Sequence, residues 1–191
     1  MAHHGKIIII SAPSGCGKST IINKLMAEYN LPLKFSVSAT NRSPREGEID
    51  GVHYHFLTDE AFRQAIADNQ FVEYEEVYPG RFYGTLKSEV EKTIAGGGNV
   101  LLDIDVKGGC RVKEMYPADA ISIFIAPPSI PALRQRLEGR GTDSSDAIET
   151  RLSKAAYELT FAARYDARVI NDNLDIAAQQ VYTLINDFIA Q

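Results

Sequence analysis

The sequence predicts an α/β fold in which helices flank a parallel β-sheet. Three apolar runs, at residues 7–10, 100–102 and 121–126, are typical of short strands that are buried on both faces. Apolar residues at helical spacing follow the first and the third run. A length of 191 residues with 45% hydrophobic content is enough for one such domain with insertions.

The composition narrows the class of protein. A net charge of −5 gives no general attraction to nucleic acid or to an anionic membrane. The two cysteines, Cys16 and Cys110, provide neither a disulfide framework nor a zinc quartet, which fits a reducing compartment. No apolar run is long enough to span a membrane, and the N-terminal residues lack a signal-peptide pattern. We therefore expect a cytoplasmic protein with no membrane or nucleic-acid partner; the oligomeric state is not predicted.

The first strand leads through a glycine-rich turn into a helix. Small residues at Ala12, Gly15 and Gly17 let several backbone N–H groups converge where the new helix adds its own free donors, and this arrangement suits a phosphate. Lys18 would reach the β- and γ-phosphates of a nucleotide, and Ser19 would ligate its Mg²⁺. This is a P-loop pattern with alanine in place of the first glycine; the alternative is an ordinary glycine turn. Cys16 is either a thiol activated by the helix N terminus or simply a small side chain. The apolar stripe of the helix consists of Ile21, Ile22, Leu25, Met26 and Tyr29.

Residues 33–56 change to short alternating segments, which predict small strands outside the α/β pattern. Arg42 and Arg45 flank a Ser-Pro pair, so they belong to a fixed loop that could clamp a phosphate. The alternative is a pair of solvated arginines that are neutralised by Glu46 and Glu48. His53 and His55 are interpreted as structural, because no third ligand stands at metal spacing.

The next segment predicts a helix capped by Thr58, followed by two strands around a Pro-Gly turn at residue 80. Glu73 shares a strand face with Phe71, so its carboxylate needs a partner, which the donors of a ligand could supply. An edge strand that carries charges against aggregation is the alternative. Ser88 and Glu91 have the spacing of a capping box at the start of another helix.

Asp103 and Asp105 follow the apolar run at residues 100–102 and are expected on the same side of its strand. Ligands bind at the carboxyl ends of parallel strands, so an acidic residue there predicts the second half of a P-loop nucleotide site, which holds Mg²⁺ directly or through water.

Three arginines surround a polar tip later in the chain. Arg136 and Arg140 lie in the last turns of a helix broken by glycines, and Arg151 lies on a second helix that starts near residues 143–145. They suggest a lid that brings positive charge onto phosphates; arginines solvated beside acidic neighbours are the alternative. A final strand reaches residues 171–173, which would contact a base or cap the last helix. That helix is expected to bury Ile176, Val181, Leu184, Ile185 and Phe188.

These pieces together resemble the guanylate kinase family of P-loop nucleoside monophosphate kinases. The matching segments occur in order over nearly the whole chain: SAPSGCGKST, FSVSATNRSPREGE, DGVHYHF, FVEYEEV, YGT, LLDIDVKGG, IFIAPPS, RLEGRGTD and VINDNLD. The resemblance implies transfer of the γ-phosphoryl group of ATP to GMP, and to dGMP, with Mg²⁺. The alternatives are a kinase for another nucleoside monophosphate and a non-catalytic guanylate-kinase-like module that binds a protein.

The resemblance also implies a division of the chain and a role for each matching residue. A core with the P-loop would comprise residues 5–33, 97–137 and 159–191, a GMP-binding region residues 34–96, and a lid residues 138–158. Lys18, Arg136, Arg140 and Arg151 would surround the transferred group, and Ser19 and Asp103 would serve the metal. ATP would contact Ala12, Pro13, Ser14, Gly15, Cys16, Gly17, Lys18, Ser19, Thr20 and Asn171. GMP would contact Ser38, Arg42, Arg45, Tyr54, Glu73, Tyr83, Thr85 and Asp105.

Overall fold

The structure, a computed structural model, describes residues 4–139, 141 and 144–191. Strands and helices alternate along the chain, with strand pairs inserted between the first and third helices. The strands are β1 Ile7–Ser11, β2 Leu33–Phe35, β3 Ala39–Thr40, β4 His55–Phe56, β5 Phe71–Tyr78, β6 Arg81–Leu86, β7 Asn99–Asp103, β8 Ala120–Ala126 and β9 Ala167–Ile170. The helices are α1 Lys18–Glu28, α2 Asp59–Ala67, α3 Lys87–Ala95, α4 Val106–Met115, α5 Ile130–Gly139, α6 Ser145–Leu159 and α7 Leu174–Ile189, with a 3₁₀ turn at Thr160–Arg164.

The main sheet is parallel and has β1 at its centre. Among the described residues its strand order is β2-β7-β1-β8-β9, and every neighbouring pair is parallel. Because β1 is covered on both faces, its residues 7–11 are all buried, which explains the unbroken apolar run. The predicted α/β fold with a helix-flanked parallel core is confirmed.

Alternate residues of β1 supply the two faces of the core. Ile8 and Ile10 pack with α1 and α7, whereas Ile7 and Ile9 pack with α3 and α4. The carboxyl ends of β1 and β7 therefore meet at one edge, where the turn into α1 and the aspartate after Leu102 come together.

A second, mixed sheet has the strand order β4-β3-β6-β5 in the described part of the chain. The hairpin β5–β6 turns at Gly80, whose φ of +74° favours glycine. Phe62 of α2 stacks between Phe71 and Phe82, so this sheet has an aromatic core of its own.

Several local predictions are wrong. The strand at residues 33–35 was expected among the inserted small strands, but it pairs with β7 at the edge of the main sheet. The capping box at Ser88 and Glu91 does not form, because Leu86, held in β6 opposite Phe71, is the N-cap of α3. Met26 and Ile176, predicted to be buried, are 43% and 60% exposed.

No helix in the described ranges has the length and apolar character needed to cross a membrane.

Candidate active site

The turn between β1 and α1 forms a small concave surface of about 260 Å³ that is lined by residues 12–15 and 17–20. Gly15 and Gly17 have φ angles of +87° and +85°, a conformation that other residues rarely adopt. Gly17 is also the N-cap of α1, and no side chain of the described residues caps this helix end. The exposed N–H groups of the first turn are therefore available to an anion.

The far end of the main sheet holds this turn in place. The side chain of Asn171, which follows β9, donates from Nδ2 to the carbonyl oxygen of Cys16 at 2.8 Å. A Cβ atom on Gly17 would overlap the same Nδ2. Asn171 is thus a structural support of the loop, while Asn173 caps α7 through its side chain.

Cys16 is an apolar contact of the loop. It is fully buried and packs with Leu133 and Leu137 of α5 and with Leu152 of α6. Burial raises the pKa of its thiol to about 12, although Arg136 opposes the shift. Full burial and the raised pKa favour a packing role for Cys16 over an activated thiol.

Lys18 and Asp103 join the loop to the neighbouring cleft. The Lys18 ammonium contacts Oδ1 of Asp103, the last residue of β7. Burial lowers the pKa of Lys18 to about 8, and the charges of Asp105 and Glu158 act in the opposite direction. The lysine is therefore a desolvated cation surrounded by carboxylates, as expected for a group whose partner is an anion.

A cleft of about 390 Å³ lies between the second sheet, the end of β7 and helix α6. Glu73 on β5 lines it and is only 6% exposed. Thr85 on β6 donates to Glu73 Oε1 at 2.7 Å, because the hairpin register places the two residues opposite each other. Burial raises the pKa of Glu73 to about 7 despite this hydrogen bond. Ser38 and Tyr54 line the same cleft.

Asp105 also lines the cleft, but it is not a strand residue as predicted. It is the N-cap of α4, and its Oδ1 accepts from the backbone N–H groups of Lys107 and Gly108 at 2.7 and 3.0 Å. The strand ends at Asp103 because Asp105, two residues later, is the N-cap from which α4 begins at Val106.

The two arginines of the 42–45 loop have different environments. Arg42 donates from Nε to the hydroxyl of Tyr83, a cleft residue, and its guanidinium lies over the Tyr54 ring at 5.0 Å. Glu48 binds the opposite side of the same guanidinium. Arg45 is exposed and lines an adjacent cavity of about 530 Å³ together with Arg42 and Arg81.

The predicted lid arginines are only partly placed. Arg136 on α5 donates to the backbone oxygen of Asp172 at 3.4 Å, next to Asn171, which contacts the turn between β1 and α1. Arg151 lies on α6 and has interactions of its own. Arg140 and Asp143 lie outside the described residues. An unpredicted arginine, Arg134, joins α5 to α6 through two hydrogen bonds to Glu149 at 2.5 and 3.0 Å.

The sequence interpretation missed Glu158, which lines the cleft beside Asp103 and is 8% exposed. Burial raises the pKa of its carboxyl group, and the charge of Lys154 opposes the shift. A signal was available, since Glu158 stands three residues after Ala155 on the buried stripe of α6, where a charged residue is unusual.

The chain is similar to known guanylate kinases over nearly its whole length. The guanylate kinase family model matches residues 4–188. The guanylate kinase of Bacteroides fragilis is 55% identical over 184 residues, which cover 96% of this chain and 90% of that protein. The guanylate kinase of Porphyromonas gingivalis is 50% identical over 186 residues, covering 97% and 99% of the two chains.

Solved structures agree. The crystal structure of guanylate kinase from Anaplasma phagocytophilum superposes with a TM-score of 0.76 at 30% identity, covering 99% of this chain and 88% of that one. The SH3-kinase fragment of tight junction protein 3, at 13% identity and a TM-score of 0.52, shares the fold alone. The chain therefore belongs to the guanylate kinase family and is an enzyme of that family.

Proposed function

We propose that the chain transfers the γ-phosphoryl group of ATP to GMP, with ATP on the phosphate loop and GMP in the cleft. The observation that carries the proposal is the contact between Lys18 and Asp103, because one residue belongs to the loop and the other lines the cleft. Two nucleotides bound on the two sides of this contact would bring their phosphates to the same place.

Glu73 supports guanine as the base. A buried carboxylate that is already oriented by Thr85 accepts two parallel hydrogen bonds well, and guanine offers N1–H and N2–H₂ donors on one edge. Adenine has an acceptor at N1 and would leave the carboxylate unpaired, a mismatch that can cost on the order of 10⁴ in specificity. We assign the guanine contacts to Glu73, Thr85 and Ser38.

We assign the GMP phosphate to Arg42, Arg45, Tyr54 and Tyr83, and place Asp105 beside the nucleotide. Arg42 and the two tyrosines already contact one another, which supports a shared ligand. Arg45 would reach the phosphate from the adjacent cavity, whose wall it shares with Arg42.

We assign the ATP site to the turn between β1 and α1 together with the lid. The backbone N–H groups of residues 14–20 and the Lys18 ammonium would hold the ATP phosphates, and Arg136, Arg140 and Arg151 would neutralise charge that develops on the transferred group. We place the lid at residues 138–158 and expect it to exclude water, the competing acceptor. Asn171 would lie near the adenine while it supports the loop.

Ser19 and Asp103 are the residues that would hold Mg²⁺. Their oxygen atoms suit this ion, and the Asp103 carboxylate has a buried oxygen beside the loop. Within the described ranges, no group of three or more His, Cys, Asp or Glu side chains is placed to hold a metal, which fits an ion that arrives with the nucleotide phosphates and keeps several waters. When bound, Mg²⁺ would neutralise phosphate charge.

The acceptor oxygen of GMP is already anionic at neutral pH, so no residue is assigned as a general base. That oxygen forms the new bond to the γ-phosphorus while the bond to the bridging oxygen breaks and ADP leaves with the electron pair. The chain contributes position and charge through Lys18 and the lid arginines.

The test is a coupled assay of ADP release with ATP and, separately, GMP, dGMP, IMP or AMP. We expect release that depends on GMP, and loss of turnover in Lys18→Ala by roughly 10² or more. A different preferred acceptor would indicate another nucleoside monophosphate kinase, and no release with any acceptor would indicate a binding module. Near-normal turnover of Lys18→Ala would remove Lys18 from the assignment.

A further inference from the structure

We propose that Glu48 is a positioning residue for the acceptor phosphate: it holds the Arg42 guanidinium so that one edge faces the Tyr83 hydroxyl and the cleft. The inference rests on the proposed function, in which GMP is the acceptor. The loop sequence does not predict this positioning role for Glu48, and Glu48 is not among the residues assigned to contact GMP.

The Glu48 carboxylate ties the loop together at three points. Its Oε2 and Oε1 accept from Nη1 and Nη2 of Arg42, both at 2.6 Å. Oε2 also accepts from the backbone N–H of Arg45 at 2.7 Å. A single carboxylate therefore fixes the side chain of one phosphate-binding arginine and the backbone of the other.

The other contacts of Arg42 show which edge of its guanidinium group remains available to a ligand. Nη1 also donates to the Ser43 backbone oxygen at 2.9 Å, while Nε donates to the Tyr83 hydroxyl at 3.2 Å. The guanidinium plane lies over the rings of Tyr54 and Phe56, at 5.0 and 5.5 Å. With the Nη1–Nη2 edge occupied by Glu48, the Nε edge is directed at Tyr83, the cleft residue with which Arg42 would share the phosphate.

The pair is formed throughout the neutral pH range. The Arg42 hydrogen bonds, followed by the one from the Arg45 backbone, lower the pKa of Glu48 to about 2. The side chains of Arg42 and Glu48 are only 9% and 17% exposed, so the bidentate geometry is enclosed by the loop and the rings.

Two possible roles of Glu48, orienting Arg42 and adding negative charge near the phosphate, predict opposite effects of Glu48→Gln on GMP binding. A carboxylate beside a phosphate site repels the ligand, so by charge alone Glu48→Gln would strengthen GMP binding. If Glu48 instead orients Arg42, the same variant weakens GMP binding, because a free guanidinium must be ordered when the phosphate arrives.

The experiment compares the wild type with Glu48→Gln, Glu48→Asp and the control Glu46→Gln, which removes the same charge from an exposed position in the same loop. We measure KM for GMP, KM for ATP and the competitive inhibition constant of guanosine, which has the base without the phosphate. KM for GMP should rise about tenfold in Glu48→Gln, the equivalent of one lost charge-assisted hydrogen bond. Glu48→Asp keeps the charge but shortens the side chain, so it should also raise KM for GMP. The values for ATP and guanosine should stay within about twofold, as should every value for Glu46→Gln.

An unchanged or lower KM for GMP in Glu48→Gln would overturn the inference. So would a parallel rise of the guanosine constant, because Glu48 would then support the whole region and not the phosphate contact. A wild type without GMP-dependent ADP release would overturn the proposed function and this inference together, whereas an active wild type with unaffected Glu48 variants overturns the inference alone.

Discussion

The protonation state of Glu73 should affect guanine binding, so the pH dependence of binding reports on this residue. Its pKa is raised from 4.5 to about 7 by burial, so the folded protein binds this proton more tightly than the unfolded chain does. The stabilisation from the protonated group is complete below pH 4.5 and is lost as the pH rises through about 7. Guanine requires the ionised form, so fold stability and base recognition prefer opposite protonation states at this residue.

We predict that guanosine inhibits more strongly as the pH rises, with an inhibition constant about tenfold lower at pH 8 than at pH 6. Guanosine is the suitable probe because GMP has a phosphate ionisation of its own near pH 6. The Glu73→Gln variant should bind guanosine weakly at every pH. A wild-type constant that does not change between pH 6 and 8 would contradict the carboxylate assignment.

Gly108 keeps the Glu73 carboxylate in place by having no side chain. A Cβ atom at this position would lie 2.9 Å from Glu73 Oε2 and 3.3 Å from Asp105 Oδ2. Alanine is otherwise preferred over glycine inside a helix by about 1 kcal/mol, so the substitution should harm the cleft and not α4.

We predict that Gly108→Ala raises KM for GMP by about tenfold, because the displaced carboxylate loses good geometry with the base. KM for ATP should not change. The matched variant is Gly109→Ala, whose Cβ would overlap the Tyr165 hydroxyl on the other side of α4. It should lower the free energy of unfolding by about 1–3 kcal/mol. Equal KM values for GMP in the wild type and Gly108→Ala would refute the steric argument.

At the scale of elements, helix α7 shows what apolar spacing can and cannot predict. Ile176 and Ile185 are both isoleucines of the predicted stripe, yet Ile176 is 60% exposed and Ile185 is fully buried. Ile176 stands nine residues before Ile185, which at 3.6 residues per turn is about half a turn around the helix axis, so it faces away from the side of α7 that packs Ala177, Val181 and Ile185 into the core.

We therefore predict that Ile185→Ala lowers the free energy of unfolding by about 3 kcal/mol, through lost burial and a cavity. Ile176→Ala should change it by less than about 0.5 kcal/mol. Urea unfolding curves measure both free-energy changes, provided that the dependence of the free energy on urea concentration has the same slope in each variant. Similar losses for the two variants would show that both faces of α7 are buried.

Much of the secondary structure followed from the sequence because the signals were local. The apolar run at residues 7–10, the Thr58 cap and the hairpin turn at Gly80 all form as predicted. Where neighbouring elements decide, the pattern misled: Leu86 caps α3 because β5 holds it, and Asp105 caps α4 although its spacing suited a strand. The two hydrogen bonds between Arg42 and Glu48 could not be predicted from the sequence either, because the sequence does not show whether Arg42 pairs with Glu46 or with Glu48.

At the scale of the molecule, the cleft is an acidic cavity in an acidic protein. Glu73, Asp103, Asp105 and Glu158 all line it, and Lys107 and Lys154 are the basic residues of its described lining. An anionic nucleotide bound there must contribute strong specific contacts to offset this repulsion. Six of the sixteen described lining residues were predicted as site residues: Glu73, Asp103 and Asp105 from the sequence pattern, and Ser38, Tyr54 and Tyr83 through the family resemblance. Their common cavity depends on how the two sheets face each other.

GMP should therefore stabilise the folded state far more than AMP does. At a GMP concentration 100 times its dissociation constant, we expect about 2.7 kcal/mol of added stability. For a chain of this size the melting temperature would rise by about 5–10 °C. Thermal unfolding with GMP or AMP at the same concentration measures the difference. Equal shifts for the two nucleotides, or a shift by GMP that survives Glu73→Gln, would contradict base selection by this cleft.

The hydrogen bond from Asn171 to the Cys16 carbonyl joins positions 155 residues apart in sequence. During synthesis the ribosome releases the phosphate-binding segment early, yet the support that shapes it emerges only near the end of translation. A growing chain thus carries the complete nucleotide-binding motif for most of its synthesis without this support. The finished loop is a product of the whole chain, and nucleotide binding can serve as a signal that the last strand has docked.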